Sequence, residues 1–361
     1  MPAIVSVSTC KPPYEITQKE TEQVVKGLFK DRYPNIDKLL SIFNNGQIEK
    51  RNFVVPKEWF ETEHFFEEKN TLFIQESVRL GTEAVKRCLD NEALSRTVQE
   101  EEIDAIIFVT SSGLATPTID ARIMNKLPFS SHTKRIPLWG LGCAGGAAGL
   151  SRAYEYCRAF PNAKVLVLCI ELCSITFQRN DSRKSNLVGT SLFADGVACS
   201  LVVGDEVMVD DKLVNVFVPY ILDTQSTLMP NSENVMGWDI QDDGLHVIFS
   251  RDIPTIIEKW LKPNVDEFLQ RSSLGIDSIQ HFVAHPGGKK VLQAYEASLG
   301  FSSDVTSISR NVLIENGNMS SPTVMYVLKE TMGIHPKKGE VGMIAALGPG
   351  FSSELLLVEW R

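Results

Sequence analysis

Cys143 stands in Leu138-Trp139-Gly140-Leu141-Gly142-Cys143-Ala144-Gly145-Gly146-Ala147-Ala148-Gly149. The apolar run 136–139 reads as the end of a buried strand, and 151–157 has helical character, so the cysteine sits at a strand-to-helix junction. Unpaired N–H groups and the helix dipole at such a start favour an anion. That lowers a thiol's pKa and makes the thiolate a nucleophile. The surrounding glycines and alanines leave room for a substrate carbonyl; a buried structural cysteine on a tight turn is the other reading of this segment. His285 ends an apolar strand at His285-Pro286-Gly287-Gly288, where proline and glycine stop the strand and hold the imidazole at its tip. Asn318 opens a helix, where its amide can donate to a developing oxyanion. Taken singly, such a histidine also serves as a turn residue and such an asparagine as an N-cap. Together, a thiolate, an imidazole and an amide suffice for acyl transfer followed by carbon–carbon bond formation. His285 would keep Cys143 ionised, and His285 with Asn318 would stabilise the enolate left by decarboxylation.

The elements that must position these groups alternate along the chain. Helices are expected over 17–30, 38–44 and 71–89, then a buried strand over 103–110 with the small-residue turn Ser111-Ser112-Gly113. The strand at 136–139, the Cys143 helix and a strand at 164–170 form a βαβ pattern, and 197–203 is a further strand. Beyond Val214 come helices over 253–270, 289–299 and 320–332 and strands over 279–284, 342–347 and 354–360. The fold class is α/β, with no low-complexity linker between the halves. A weak internal repeat links them. Phe108-Val109-Thr110-Ser111-Ser112-Gly113 resembles Phe282-Val283-Ala284-His285-Pro286-Gly287, Gly142-Cys143-Ala144 resembles Gly317-Asn318-Met319, and Phe193-Ala194-Asp195-Gly196 resembles Leu347-Gly348-Pro349-Gly350. The motifs recur in the same order, so two halves, 1–213 and 214–361, packed about a pseudo-twofold axis would bring Cys143, His285 and Asn318 to one centre.

Composition suits an enzyme and excludes other classes. The chain has 361 residues, 43% hydrophobic and 22% charged, enough for a large core. A net charge of −9 argues against a nucleic-acid partner. Seven cysteines without paired spacing read as reduced thiols, and Cys169 with Cys173 lacks the histidines of a metal site, so no metal is expected. The first residues do not read as a signal peptide and no apolar run approaches a membrane span, so the expected location is cytoplasmic.

The combination of Gly-Leu-Gly-Cys143-Ala-Gly-Gly-Ala, Val-Ala-His285-Pro-Gly-Gly, Asn-Gly-Asn318-Met-Ser-Ser-Pro-Thr and Leu347-Gly348-Pro349-Gly350-Phe351 resembles the type III polyketide synthases, relatives of chalcone synthase, over nearly the whole chain. Within that family the chain looks closest to bacterial alkylpyrone synthases. The resemblance implies a thiolase-like layered αβαβα fold with two pseudo-symmetric halves. It implies a homodimer without a cofactor, which takes CoA thioesters as substrates and extends an acyl-CoA starter with malonyl-CoA. It also implies that Cys143 carries the growing chain while His285 and Asn318 serve decarboxylation and condensation. A ketoacyl-ACP synthase of the initiating type would share the trio, but Met319-Ser320-Ser321-Pro322 and His285-Pro286-Gly287-Gly288 favour the polyketide branch.

By the same resemblance, Phe193 corresponds to a gatekeeper between CoA tunnel and active site, and a second gatekeeper phenylalanine of plant enzymes falls on Val247. Cys173 and Thr176 match pocket positions where small side chains let a long acyl tail pass. Ser112, Gly348 and Pro349 join the substrate-binding set, and Thr116 matches the residue that reaches the partner subunit's cavity. Lys50 and Arg51 are candidates for the CoA phosphates, with a solvated charged turn as the alternative. The rival class is an NAD-dependent oxidoreductase, because Gly140, Gly142 and Gly145 match GxGxxG after a strand and Glu171 stands where a ribose ligand would. That reading leaves His285, Asn318 and the repeat without a role.

Overall fold

The computed structural model describes residues 1–30, 32, 36–210 and 213–361. Its strands are β1 (Ala3–Cys10), β2 (Tyr14–Thr17), β3 (Lys50–Phe53), β4 (Ala105–Thr110), β5 (Lys134–Trp139), β6 (Lys164–Leu172), β7 (Asp195–Val203), β8 (Pro219–Leu228), β9 (Met236–Gln241), β10 (Gly244–Phe249), β11 (His281–Ala284), β12 (Val341–Gly348) and β13 (Ser352–Trp360). Its helices are α1 (Gln18–Phe29), α2 (Ile36–Asn45), α3 (Phe66–Leu89), α4 (Ile119–Met124), α5 (Gly145–Ala159), α6 (Lys184–Leu192), α7 (Asp205–Asp210), α8 (Ile253–Gln270), α9 (Lys289–Leu299), α10 (Ser307–Asn316) and α11 (Pro322–Gly333).

The main sheet runs β11-β12-β13-β8-β1-β7-β6-β4-β5. Its pairing is the same from either side of the middle. β11–β12 and β4–β6 are parallel, and β12–β13, β13–β8, β6–β7 and β7–β1 are antiparallel. The two wings join where β1 runs antiparallel to β8, with Ala3 opposite Tyr220. β5 alone has no counterpart.

Strand residues alternate between two apolar faces, as strands covered on both sides must. Ile107, Val109, Val165 and Val167 of one wing share a core with Ile344, Leu356 and Val358 of the other and with Ala147, Leu150, Val324 and Val327 of α5 and α11. On the outer face of the first wing, Ile106, Phe108, Leu166 and Leu168 pack against Leu80, Ala84 and Cys88 of α3. On the outer face of the second, Met343, Ala345, Leu355 and Leu357 pack against α8 and α9. Three separate cores make five layers, and the αβαβα fold holds.

The middle layer needs close approach. A Cβ on Gly146 would lie 2.3 Å from the Ser321 carbonyl oxygen, and one on Gly149 would lie 2.6 Å from Val167 Cγ1. Glycine lets α5 lie against the start of α11 and against the sheet, which brings the Cys143 turn beside Asn318.

Helices α8 and α9 have the expected bounds 253–270 and 289–299, whereas the helix expected at 320 begins at Pro322. The run 136–139 is not buried. β5 pairs only with β4 and ends the sheet, so one edge faces outward and Trp139 is 45% exposed. The sequence pattern predicts no element over 219–249, which holds β8 and the β9–β10 hairpin. The division at 213/214 adjoins positions 211 and 212, which lie outside the described residues. Among the described residues no helix is long and apolar enough to cross a membrane.

Two glycine substitutions should move stability in opposite directions. Gly146→Val should cost about 3 kcal/mol, the upper end for overpacking, because backbone rather than a flexible side chain blocks it. Gly27→Ala, on α1 with nothing within 4 Å of the added atom, should stabilise by about 0.5–1 kcal/mol. Urea midpoints check both; a Gly146→Val chain as stable as wild type would remove the helix contact from this account.

Candidate active site

Cys143 occupies a tight turn, Gly142–Ala144, that runs directly into α5. The Gly142 N–H donates to Ser111 Oγ at 2.9 Å, and its φ of +46° suits glycine. The end of β12 braces the turn. A Cβ on Gly348 would lie 2.5 Å from the Leu141 carbonyl oxygen, and one on Gly142 would lie 2.8 Å from Pro349 Cδ.

Asn318 is held by its own backbone, which donates to the Leu192 carbonyl at 2.9 Å and accepts from the Ala194 N–H at 2.8 Å. Its Oδ1 accepts from the Ser320 N–H at 2.8 Å. That bond sets the amide orientation, so Nδ2 faces the Gly287 carbonyl at 3.3 Å and Cys143 Sγ at 3.9 Å. His285 sits at the tip of β11, 2% exposed, with its N–H donating to the Ala345 carbonyl at 2.8 Å. Neither ring nitrogen has a hydrogen-bond partner among the described residues. Asn318 thus links the thiol to the turn that follows the imidazole.

Burial governs the charge states. It pushes the Cys143 thiol up to about 12, against the opposing pull of hydrogen bonds from Ser320 and Asn318. It also lowers His285 to about 3. The expectation of a depressed thiol pKa is therefore corrected: Cys143 is 6% exposed, and loss of hydration outweighs the N–H groups of the turn. Both shifts favour the uncharged forms, a thiol beside a neutral imidazole. A neutral imidazole keeps one N–H donor and one lone pair, so it can take a proton or donate a hydrogen bond.

Two cavities meet beside this centre. One is lined by Cys143, Gly142, Ser320 and Pro349 together with Met236, Ile248 and Phe249. The other runs between α1, β3 and α6 past Val24, Val25, Phe53, Phe60 and Phe177. Cys173, Phe193, Trp238 and Val247 line both, and the rings of Phe193 and Trp238 lie 6.1 Å apart. Cys173, Thr176, Phe193, Val247 and Pro349 therefore stand on these walls, as four elements distant in sequence.

The remaining candidates lie elsewhere. Ser112 Oγ accepts from the Leu172 N–H at 2.9 Å and lines a small separate pocket. Thr116 is exposed and lines neither cavity. Arg51 is buried, and its guanidinium donates to the Thr190 and Phe193 carbonyls and to Gln18 Oε1, so it braces the cavity wall and is not displayed toward a phosphate in solvent. Lys50 is paired with Glu15 and Glu315. Glu171 is buried too, accepting from the Ser111 N–H and the Ser321 hydroxyl at 3.0 Å each, and burial raises it to about 7. It is not free for a ribose. A Cβ on Gly145 would meet Val109 at 2.6 Å, so that glycine serves packing, and the dinucleotide reading falls.

Trp238, Met236 and Phe249 were missed because the hairpin that carries them was not foreseen. Its signal was present: Asp243-Gly244 between Trp238-Asp239-Ile240 and Leu245-His246-Val247 is a short-range hairpin pattern.

The neutral pair makes a kinetic prediction. Iodoacetamide consumes thiolate, so Cys143 alkylation in the free protein should rise about tenfold per pH unit between pH 7 and 9, with no plateau at the low end. Mass mapping separates Cys143 from Cys173, the other thiol on that cavity. A plateau below pH 8 would reveal a standing thiolate–imidazolium pair and overturn the neutral assignment.

Known proteins share this sequence pattern and fold. The N-terminal domain model of chalcone and stilbene synthases matches residues 4–206, and the C-terminal domain model matches 221–360. A Bacillus subtilis (strain 168) protein provisionally named chalcone synthase is 51% identical over 100% of this chain and 99% of its own. The 1,3,6,8-tetrahydroxynaphthalene synthase of Streptomyces peucetius is 30% identical over 99% of this chain and 93% of its own. The crystal structure of 1,3,6,8-tetrahydroxynaphthalene synthase from Streptomyces coelicolor A3(2), a bacterial type III polyketide synthase, superposes with a TM-score of 0.92 at 27% identity, covering 99% of both chains. The chain belongs to the chalcone and stilbene synthase family and is an acyl-transferring type III polyketide synthase.

Proposed function

We infer that the enzyme loads a long-chain fatty acyl-CoA on Cys143 and extends it with malonyl-CoA to tri- and tetraketide alkylpyrones or related alkylresorcinol-type products. The apolar cavity beyond Cys173 and Val247 carries this reading. Val24, Val25, Phe60 and Phe177 form much of its wall, with Lys57 and Asn186 also on it, and it shares four lining residues with the cavity of the thiol. Each methylene buried there is worth roughly 0.8 kcal/mol, so a long chain gains far more than an acetyl group.

In this mechanism His285 takes the Cys143 proton as Sγ attacks the thioester carbonyl, and it returns that proton to the departing CoA thiolate. Malonyl-CoA then loses carbon dioxide, and the electrons of the broken bond form an enolate. The imidazole N–H and Asn318 Nδ2–H donate to its oxygen. The enolate carbon attacks the acyl-Cys143 thioester, and Sγ leaves as the chain passes to CoA. The low pKa of His285 keeps it a neutral donor throughout decarboxylation, and its unpartnered nitrogens support the role. Residues 1–213 supply the nucleophile and 214–361 the imidazole and amide. A homodimer fits the exposed edge strand β5, where Trp139 is 45% exposed, together with the loop after β4, which carries Leu114, 40% exposed, and Thr116 and whose Gly113 carbonyl accepts from Trp139 Nε1 at 3.1 Å.

Asn318→Ala should still acylate Cys143 but lose malonyl-CoA decarboxylation by about 10²–10³, the usual cost of one oxyanion donor. Trapped acyl-enzyme and carbon dioxide release measure the two steps separately; decarboxylation at the wild-type rate would remove Asn318 from the mechanism.

A ladder of hexanoyl-, lauroyl- and stearoyl-CoA with malonyl-CoA, read by mass analysis, tests the starter. The expected kcat/KM rises with chain length, and Cys173→Phe reverses that trend while sparing the shortest starter. A preference that falls with length and ignores Cys173→Phe, or product from malonyl-CoA alone, would end the long-chain reading.

A further inference from the structure

The β9–β10 hairpin supplies two of the four residues shared by both cavities, yet it belongs to neither wing of the main sheet. Val247 pairs directly with Trp238, and His246 pairs with Asp239. Strand alternation puts Val247 and Trp238 on the cavity face and His246 on the other. His246 is 5% exposed, and both of its ring nitrogens are engaged.

The network fixes its tautomer. The Arg183 guanidinium donates to His246 Nδ1 at 2.9 Å and to Asp181 Oδ2 at 2.8 Å, so Nδ1 accepts and the Nε2–H donates to Asp243 Oδ1 at 2.6 Å. Asp181 Oδ2 also lies 3.3 Å from Nδ1. Beside this chain Gln178 Nε2 donates to the Leu245 carbonyl at 3.3 Å, and Asn186 Nδ2 holds the Gln178 and Asp181 carbonyls at 2.8 and 2.7 Å. Gln178, Asp181 and Arg183 all lie between the Cys173–Thr176 turn and α6, so the latch fastens one cavity wall to another.

We propose that His246 is a positioning residue for starter selection: bonded between Arg183 and Asp243, it fixes the hairpin so that Val247 and Trp238 close the cavity around the acyl chain. Val247 then rests against α6, where a Cβ on Gly189 would come within 3.2 Å of it. His246 touches neither cavity, so its effect reaches the substrate only through the hairpin. This inference rests on the acyl-CoA reading above.

His246→Phe keeps the ring and loses both bonds, and His246→Gln keeps one acceptor and one donor. The starter ladder should show the lauroyl-to-hexanoyl ratio of kcat/KM falling about tenfold in His246→Phe, through KM rather than kcat, and staying within about threefold in His246→Gln. Amide hydrogen exchange across 236–249 should quicken in His246→Phe alone. An unchanged ratio in His246→Phe overturns the proposal, as does an equal loss in both variants. Should the wild type turn over no acyl-CoA at all, the functional reading fails by itself. Hydrogen exchange then decides the latch, and an undisturbed hairpin in His246→Phe overturns it. If His246→Phe does not fold, Asp243→Ala removes the acceptor at a side chain 60% exposed and is read in the same way.

Discussion

The approach of α5 to the start of α11 is the constraint on which the site depends. The Cys143 turn leads into α5, and Asn318 stands just before α11. Gly146 against the Ser321 carbonyl brings the two starts together, and Ser321 is tied across to Glu171 on β6 by a 3.0 Å bond. Each wing covers one face of this helix pair, which buries the layer. Burying the pair is what allows two chain segments 175 residues apart to place a thiol and an amide within 3.9 Å.

That same burial sets the chemistry. It favours the thiol form of Cys143 and the neutral form of His285. Charge appears when a thioester carbonyl arrives to receive it, and the donors aimed at it then act in a low dielectric. A thiol at a solvated helix start would be more acidic at rest, but its donors would be weakened by water. The reading of Cys143 as a depressed thiol followed from position along the helix and left out depth.

Much of the catalytic layer was legible in the sequence. The repeat of Phe108–Gly113 in Phe282–Gly287 and of Cys143 in Asn318 corresponds to β4 with β11 and α5 with α11 on matching sides of the sheet. Local composition carries such motifs, because a strand end, a proline-glycine stop and a glycine-rich helix each have a signature. Arg51 misled for the opposite reason. Its charge suggested solvent, whereas the carbonyls of Thr190 and Phe193 satisfy it inside the protein, and no local pattern announces a partner some 140 residues away.

The cavity walls divide along the same line. Cys143, His285 and Asn318 come from the repeated halves, whose sheets are packed on both faces. The wider cavity is lined largely by α1, β3, α6 and the β9–β10 hairpin, pieces that the repeat does not contain. These pieces pack largely against one another, α6 against β10 and α1 against α6, and the latch at His246 fastens the hairpin to them. Substitution at Trp238 or Val247 alters the space beside Phe193 without disturbing the Gly146–Ser321 contact or the amide of Asn318. The walls of the wider cavity and the turn that carries Cys143 are therefore held by different layers of contact.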